Sequence, residues 1–124
     1  MNETILGNQL RKVPSIAVGC MRLSEKSKEE MNHFIHSALE QGAYFFDHAD
    51  IYGGGMSETV FGDAFSHDPS LKREDVFLQS KCGIRQGCYD LSKEYILGSC
   101  RWYFKASPDG LPRSSAAPPS GCTR

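Results

Sequence analysis

Three short apolar runs, Ile16-Ala17-Val18, Ala43-Tyr44-Phe45-Phe46 and Val76-Phe77-Leu78, are separated by stretches whose apolar residues recur at helical spacing. That alternation confines the chain to few architectures. Strands alternating with helices of this length build a parallel α/β sheet or barrel, because a parallel strand is reached only through a long crossover. The first crossover is well marked. Ser27 and Glu30 form a capping box, Met31, Phe34, Ile35, Ala38 and Leu39 give the apolar stripe, and Gly42 ends the helix. In the second, Ser57 is expected to cap a helix with Glu58 at its positive end and Val60, Phe61, Ala64 and Phe65 on one face. Ser92 opens a third helix containing Tyr95, Ile96 and Leu97, and the residues from Thr4 onward suggest a small hairpin ahead of the first strand.

Composition narrows the function classes. The chain has 124 residues, enough for one small domain with a modest core. Fourteen basic and 15 acidic residues leave a net charge of -1, which argues against nucleic acid or an anionic membrane as partner. No apolar run reaches the roughly eighteen residues of a membrane span. Met1-Asn2-Glu3-Thr4 lacks the basic and apolar regions of a signal peptide, so the cytoplasm is the expected compartment. Five cysteines (Cys20, Cys82, Cys88, Cys100 and Cys122) form no CxxC pair, which points to neither a disulfide framework nor a structural zinc site. His33 and His36 read as surface residues of a helix, and no metal is expected.

The strand ends carry the chemistry. The second apolar run continues into Asp47, Tyr52 follows in the next loop, and the third run leads to Lys81. An ammonium beside a phenol favours the phenolate and makes the phenol a better acid; a carboxylate paired to the lysine keeps it charged and placed. The run Phe45-Phe46-Asp47-His48-Ala49-Asp50-Ile51-Tyr52-Gly53, with Ser80-Lys81-Cys82-Gly83, resembles the active-site signature of the aldo-keto reductases. D-H-A-D-I-Y-G-G and S-K-C-G-I look most like a bacterial branch of predicted oxidoreductases in that family, and the resemblance spans about residues 12 to 99. It implies the N-terminal portion, about three β/α units, of a (β/α)8 TIM barrel with its active site on the C-terminal face. It also implies NADP(H)-dependent reduction of small aldehydes or ketones to alcohols. The catalytic roles pass to Tyr52 as proton donor, Lys81 beside it and Asp47 holding Lys81. Gly19, Cys20, Met21 and Asp47 are placed at the nicotinamide end of the cofactor site. His48, next to Asp47, is expected to face away. Asp50 and Glu58 are accounted for by loop hydrogen bonding and helix capping, and Cys82 by packing. Gly53-Gly54-Gly55 lacks the G-x-G-x-x-G spacing of a phosphate cradle and reads as a turn.

The pattern stops near residue 99. Arg101-Trp102-Tyr103-Phe104 shows neither period, four of the six prolines lie at 108, 112, 118 and 119, and Ser114 to Gly121 is of low complexity. One reading is a disordered tail. A sharper one comes from back-translation with degenerate codons, read one base later, which permits V-D-G-I-L-K-R-L-Q-T-D-Y-L-E-V-L-L-L-H-R-P-D-A-L. That string continues the third helix and enters an apolar strand ending in histidine, as family members do at this place. The expectation is therefore two parts: residues 1–99 from a reductase barrel, and residues 100–124 a frameshifted, non-native tail. The family's fourth active-site residue, a histidine, would fall where Pro118 and Pro119 stand. The expected whole is a truncated reductase, inactive as written. The alternative is a small non-catalytic binding or regulatory module derived from the half-barrel.

Overall fold

The computed structural model describes residues 2–7, 11–85 and 87–104, with backbone alone for 100–104. A hairpin comes first: β1 (Glu3–Leu6) pairs antiparallel with β2 (Arg11–Pro14). Three parallel strands follow in the spatial order β3 (Val18–Gly19), β4 (Phe45–Asp47), β5 (Phe77–Gln79). Helix α1 (Lys28–Glu40) connects β3 to β4, and α2 (Met56–Ser66) connects β4 to β5. A second small hairpin, β6 (Ile84–Arg85) with β7 (Cys88–Tyr89), leads to α3 (Lys93–Phe104).

Helix α1 forms for the reasons its sequence suggests. Ser27 and Glu30 make the reciprocal capping bonds, at 3.2 Å and 2.7 Å. At the other end Gly42 takes a φ of 76°, and the amides of Gly42 and Ala43 close onto the carbonyls of Leu39 and Ala38. Those two bonds form a Schellman motif, for which only a residue tolerant of left-handed backbone serves well. Met31 and Ile35 point into the core, with Phe34, Ala38 and Leu39 packed at its margin.

The side chains of β4 alternate across the sheet, and both sides are covered. Phe46 is fully buried toward the helices, against Phe34 and Phe61 with ring centroids 6.4 Å and 5.1 Å away. Phe45 turns to the other face and meets Phe77 edge to face at 4.8 Å. Arg11 of the first hairpin lies over the Phe77 ring, and the Tyr44 hydroxyl donates to Glu3. The hairpin is thereby tied to the sheet face that the helices do not cover.

Four details depart from expectation. Strand β3 begins at Val18, and Ile16 is 59% exposed, because Ser15 still bonds back to Asn2 and the chain is leaving the hairpin there. Helix α2 is capped by Gly55, not Ser57: the Gly53–Gly55 turn, with positive φ at all three residues, delivers the backbone two residues earlier. Helix α3 starts as expected, the Ser92 hydroxyl accepting from the Tyr95 amide, but runs through residues 101–104. Arg, Trp, Tyr and Phe carry only small helix penalties, and the first proline beyond them is Pro108. Cys88 is disulfide-bonded, while Cys20 is a free thiol. Residues 105–124, which include Pro118 and Pro119, lie outside the described residues.

Candidate active site

Parallel pairing sets the site. Register places Gly19 opposite Asp47 and Asp47 opposite Gln79, so the three strands end level with one another. Beyond the last ladder positions the loops stay stitched together. The His48 amide donates to the Gln79 carbonyl at 2.8 Å, and the Asp50 amide to the Lys81 carbonyl at 2.9 Å. The loop after β4 then turns through Tyr52–Gly55, kinked where Gly53 and Gly54 take left-handed backbone.

Asp47, Tyr52 and Lys81 come together there. Lys81 Nζ donates to Asp47 Oδ1 at 2.6 Å and to the His48 carbonyl at 2.7 Å. The same nitrogen lies 5.3 Å from the centre of the Tyr52 ring, within cation–π range. Partial burial works against the Lys81 charge, but the hydrogen bond and charge of Asp47, then Tyr52, outweigh it and raise the Lys81 pKa. The ammonium is thus held charged, and held in place, beside a phenol.

A fourth residue, Gln79, belongs to this cluster. Its Nε2 donates to Asp47 Oδ1 at 2.7 Å, so one carboxylate oxygen is gripped by an amide and an ammonium together. The signal was in the chain: Gln79 and Lys81 are two residues apart, and a strand repeats its facing every second residue. Asp50 is engaged by the Tyr95 hydroxyl at 2.7 Å.

The residues after β3 divide. Gly19 is exposed and borders open space, since a Cβ there would meet nothing within 4 Å. Met21 is also exposed, at 61%. The Cys20 side chain turns into the core, where burial first and Asp47 second push its thiol up to about 12; its amide bonds to the Asp47 carbonyl at 3.0 Å. His48 is buried edge-on against Phe61, away from the Asp47 carboxylate cluster, and burial lowers its pKa to about 4. Among the described residues no group of three acidic, His or Cys side chains is placed to hold a metal.

Gly53 follows Tyr52 directly and has no substitute. Its φ is +59°, and a Cβ would lie 2.3 Å from the Cβ of Ser24. Gly53→Ala is expected to cost roughly 2–3 kcal/mol, the sum of left-handed strain and a clash that no rotamer relieves. Urea unfolding measures it; a loss under about 0.5 kcal/mol would show that the turn can be rebuilt.

The sequence matches the Aldo/keto reductase family over residues 15–105. The chain belongs to that family. Among family relatives, the uncharacterized oxidoreductase YcsN of Bacillus subtilis is 40% identical over 93 residues, which are 65% of this chain and 31% of the relative. The holo form of a Bacillus halodurans aldo-keto reductase superposes with a TM-score of 0.67 at 29% identity, over 82% of this chain and 34% of that one. A Klebsiella pneumoniae aldo-keto reductase in complex with NADPH gives a TM-score of 0.53 at 26% identity, over 66% and 28%. The chain therefore spans about a third of the length of the relatives it matches. Those structures are TIM barrels, and the hairpin, parallel strands and helices of this chain are the corresponding part of one. No helix among the described residues is long and apolar enough to cross a membrane.

Proposed function

We propose that Asp47, Tyr52 and Lys81 form the proton-donating set of an NADP(H)-dependent reductase of small aldehydes or ketones. The observation that carries this reading is Lys81 Nζ, 2.6 Å from the Asp47 carboxylate and 5.3 Å from the Tyr52 ring centre, at the C-terminal ends of parallel strands. When bound, the nicotinamide supplies the hydride that the protein cannot. Tyr52 gives its phenolic proton to the carbonyl oxygen as the carbonyl carbon receives that hydride, and the product is the alcohol. Lys81 steadies the phenolate that Tyr52 leaves behind. Asp47, itself bonded by Gln79, keeps Lys81 in place beside Tyr52.

Gly19 supports a cofactor lying across these strand ends. It is level with Asp47 and open above, so a flat ring can approach the backbone closely. Met21, the Cys20 backbone and Asp47 would border the same face. The choice of NADP(H) rests on the family and on the NADPH held by the Klebsiella relative. Gly19→Leu tests the placement, because a Cβ there would meet nothing within 4 Å. The expected result, in a chain continued into a complete barrel, is at least a tenfold loss of NADPH affinity with an unchanged thermal midpoint. Unaltered NADPH binding would remove Gly19 from the cofactor site.

Expressed alone, the 124-residue polypeptide is expected to show no turnover. Strand β5 has β4 as its one partner among the described residues, and a barrel excludes water only when it closes. We read residues 100–124 as frameshifted. Sequencing the gene tests this: codons that cannot encode L-E-V-L-L-L-H in the next frame remove the idea. Restoring that frame and following NADPH oxidation with a panel of carbonyls tests the function. Carbonyl reduction would support the reductase. Its absence from the restored product, together with a 124-residue chain that is soluble and unfolds cooperatively, would favour a small binding module.

A further inference from the structure

Behind the Asp47–Lys81 pair lies a carboxyl group that the chemistry above does not use. Glu58, in the first turn of α2, is 1% exposed, an extreme position for an acidic side chain. Its Oε1 accepts a hydrogen bond from Ser80 Oγ, and its Oε2 has no partner among the described residues. Ser80 is the residue before Lys81, and the Lys81 carbonyl accepts from the Asp50 amide on its other side. The segment that carries the ammonium is thus held twice, once by loop backbone and once by a side chain from the helix behind it.

The groups that face Glu58 leave it without a committed counter-charge. Asp50 approaches from the loop after β4 and Lys81 from the segment after β5, where Asp47 already binds it. Cys20, at the end of β3, also interacts with Glu58, and burial keeps its thiol neutral. Burial raises the Glu58 pKa, the Ser80 bond opposes that, Asp50 adds to it and Lys81 subtracts, and the outcome is about 7.

We propose that Glu58 is a positioning residue for Lys81, acting through Ser80, and that its protonation state sets how firmly the Lys81 segment is held. A carboxylate accepts the Ser80 hydrogen bond with charge assistance, and a neutral carboxyl accepts it more weakly. The consequence for catalysis rests on Lys81 belonging to the proton-donating set. The positioning itself does not.

Nuclear magnetic resonance of the 124-residue chain tests it between about pH 5.5 and 8.5, a window that brackets a raised carboxyl. The Lys81 and Asp50 amide signals are expected to titrate together with the Glu58 side-chain carboxyl. In Glu58→Gln the shared titration disappears, while the ring signals of Phe46 and Phe65 stay in place. Ser80→Ala, which leaves the carboxyl intact but cuts the link, removes most of the amplitude at Lys81. Flat Lys81 and Asp50 signals in the parent chain overturn the proposal. So does full amplitude in Ser80→Ala, which would mean that the charge acts through space alone. Tyr52→Phe keeps the titration whatever its effect on catalysis, so failure of the catalytic reading and failure of this one are separable.

Stability gives a second readout if Glu58→Gln has a poor spectrum. The folded pKa is raised above the ordinary 4.5, so this group's stabilising contribution is complete below that value and is lost as pH rises through about 7. The parent chain should lose stability across that interval. Ser80→Ala should lose more in total, over an interval that extends to higher pH, because it removes the bond that favours the charged form; an unchanged total loss in that variant overturns the proposal.

Discussion

Tyr52→Phe, in a chain continued into a complete barrel, is expected to lower kcat by roughly 10²–10⁴-fold with little change in NADPH affinity. The phenylalanine ring fills the same place beside Lys81, whose Nζ is 5.3 Å from the ring centre, so packing and the cation–π contact survive. Only the hydroxyl is removed, and with it the proton that the carbonyl oxygen requires. A loss that large with NADPH binding preserved separates chemistry from cofactor recognition. Turnover within about threefold of the parent would show that another group or a water donates, and the assignment of Tyr52 would fall.

Phe46→Ala should be the most damaging change to the fold. Phe46 is fully buried at the centre of β4 and packs on rings from both helices, Phe34 of α1 and Phe61 of α2. Truncating a phenylalanine in such a site costs about 3–5 kcal/mol, from lost burial plus the cavity left behind. A whole domain is stable by only about 5–15 kcal/mol, so most or all of the cooperative structure should go. Chemical denaturation followed by circular dichroism measures this. A change below about 1 kcal/mol would mean that the helices collapse onto the vacated space. Phe45→Ala makes a useful contrast, because Phe45 faces the hairpin side and, among the described residues, meets the ring of Phe77 alone.

The parts of this structure that could be read from the chain are those decided within a few residues. The Ser27–Glu30 capping box, the Met31–Ile35 stripe and the halt at Gly42 are local, and each forms as expected. Asp47, Tyr52 and Lys81 converge because strand ends in a parallel sheet are level, a property of the alternation itself. The Gln79–Asp47 bond depends on the register between β4 and β5, which no single segment encodes. Glu58 looked like a helix-capping acid, and its burial against Ser80 emerges only when α2 packs behind the sheet. Ser57 has a capping side chain, but three consecutive left-handed glycines outranked it. Cys20 sits beside an open glycine in sequence and faces the core in space, because alternate residues leave a strand on opposite sides.

The stitched loops after β4 and β5 have an evolutionary corollary. Asp47 and Lys81 are 34 residues apart, and Tyr52, Glu58, Gln79 and Ser80 all lie between them. One β/α unit and the start of the next therefore contain the phenol, the ammonium, the carboxylate and the residues bonded to them. On the proposed reading, a recombination event that moved this stretch between barrels would carry Asp47, Tyr52 and Lys81 together as an inheritable cassette. Substrate choice and cofactor grip would then be free to diverge in whatever host barrel received it.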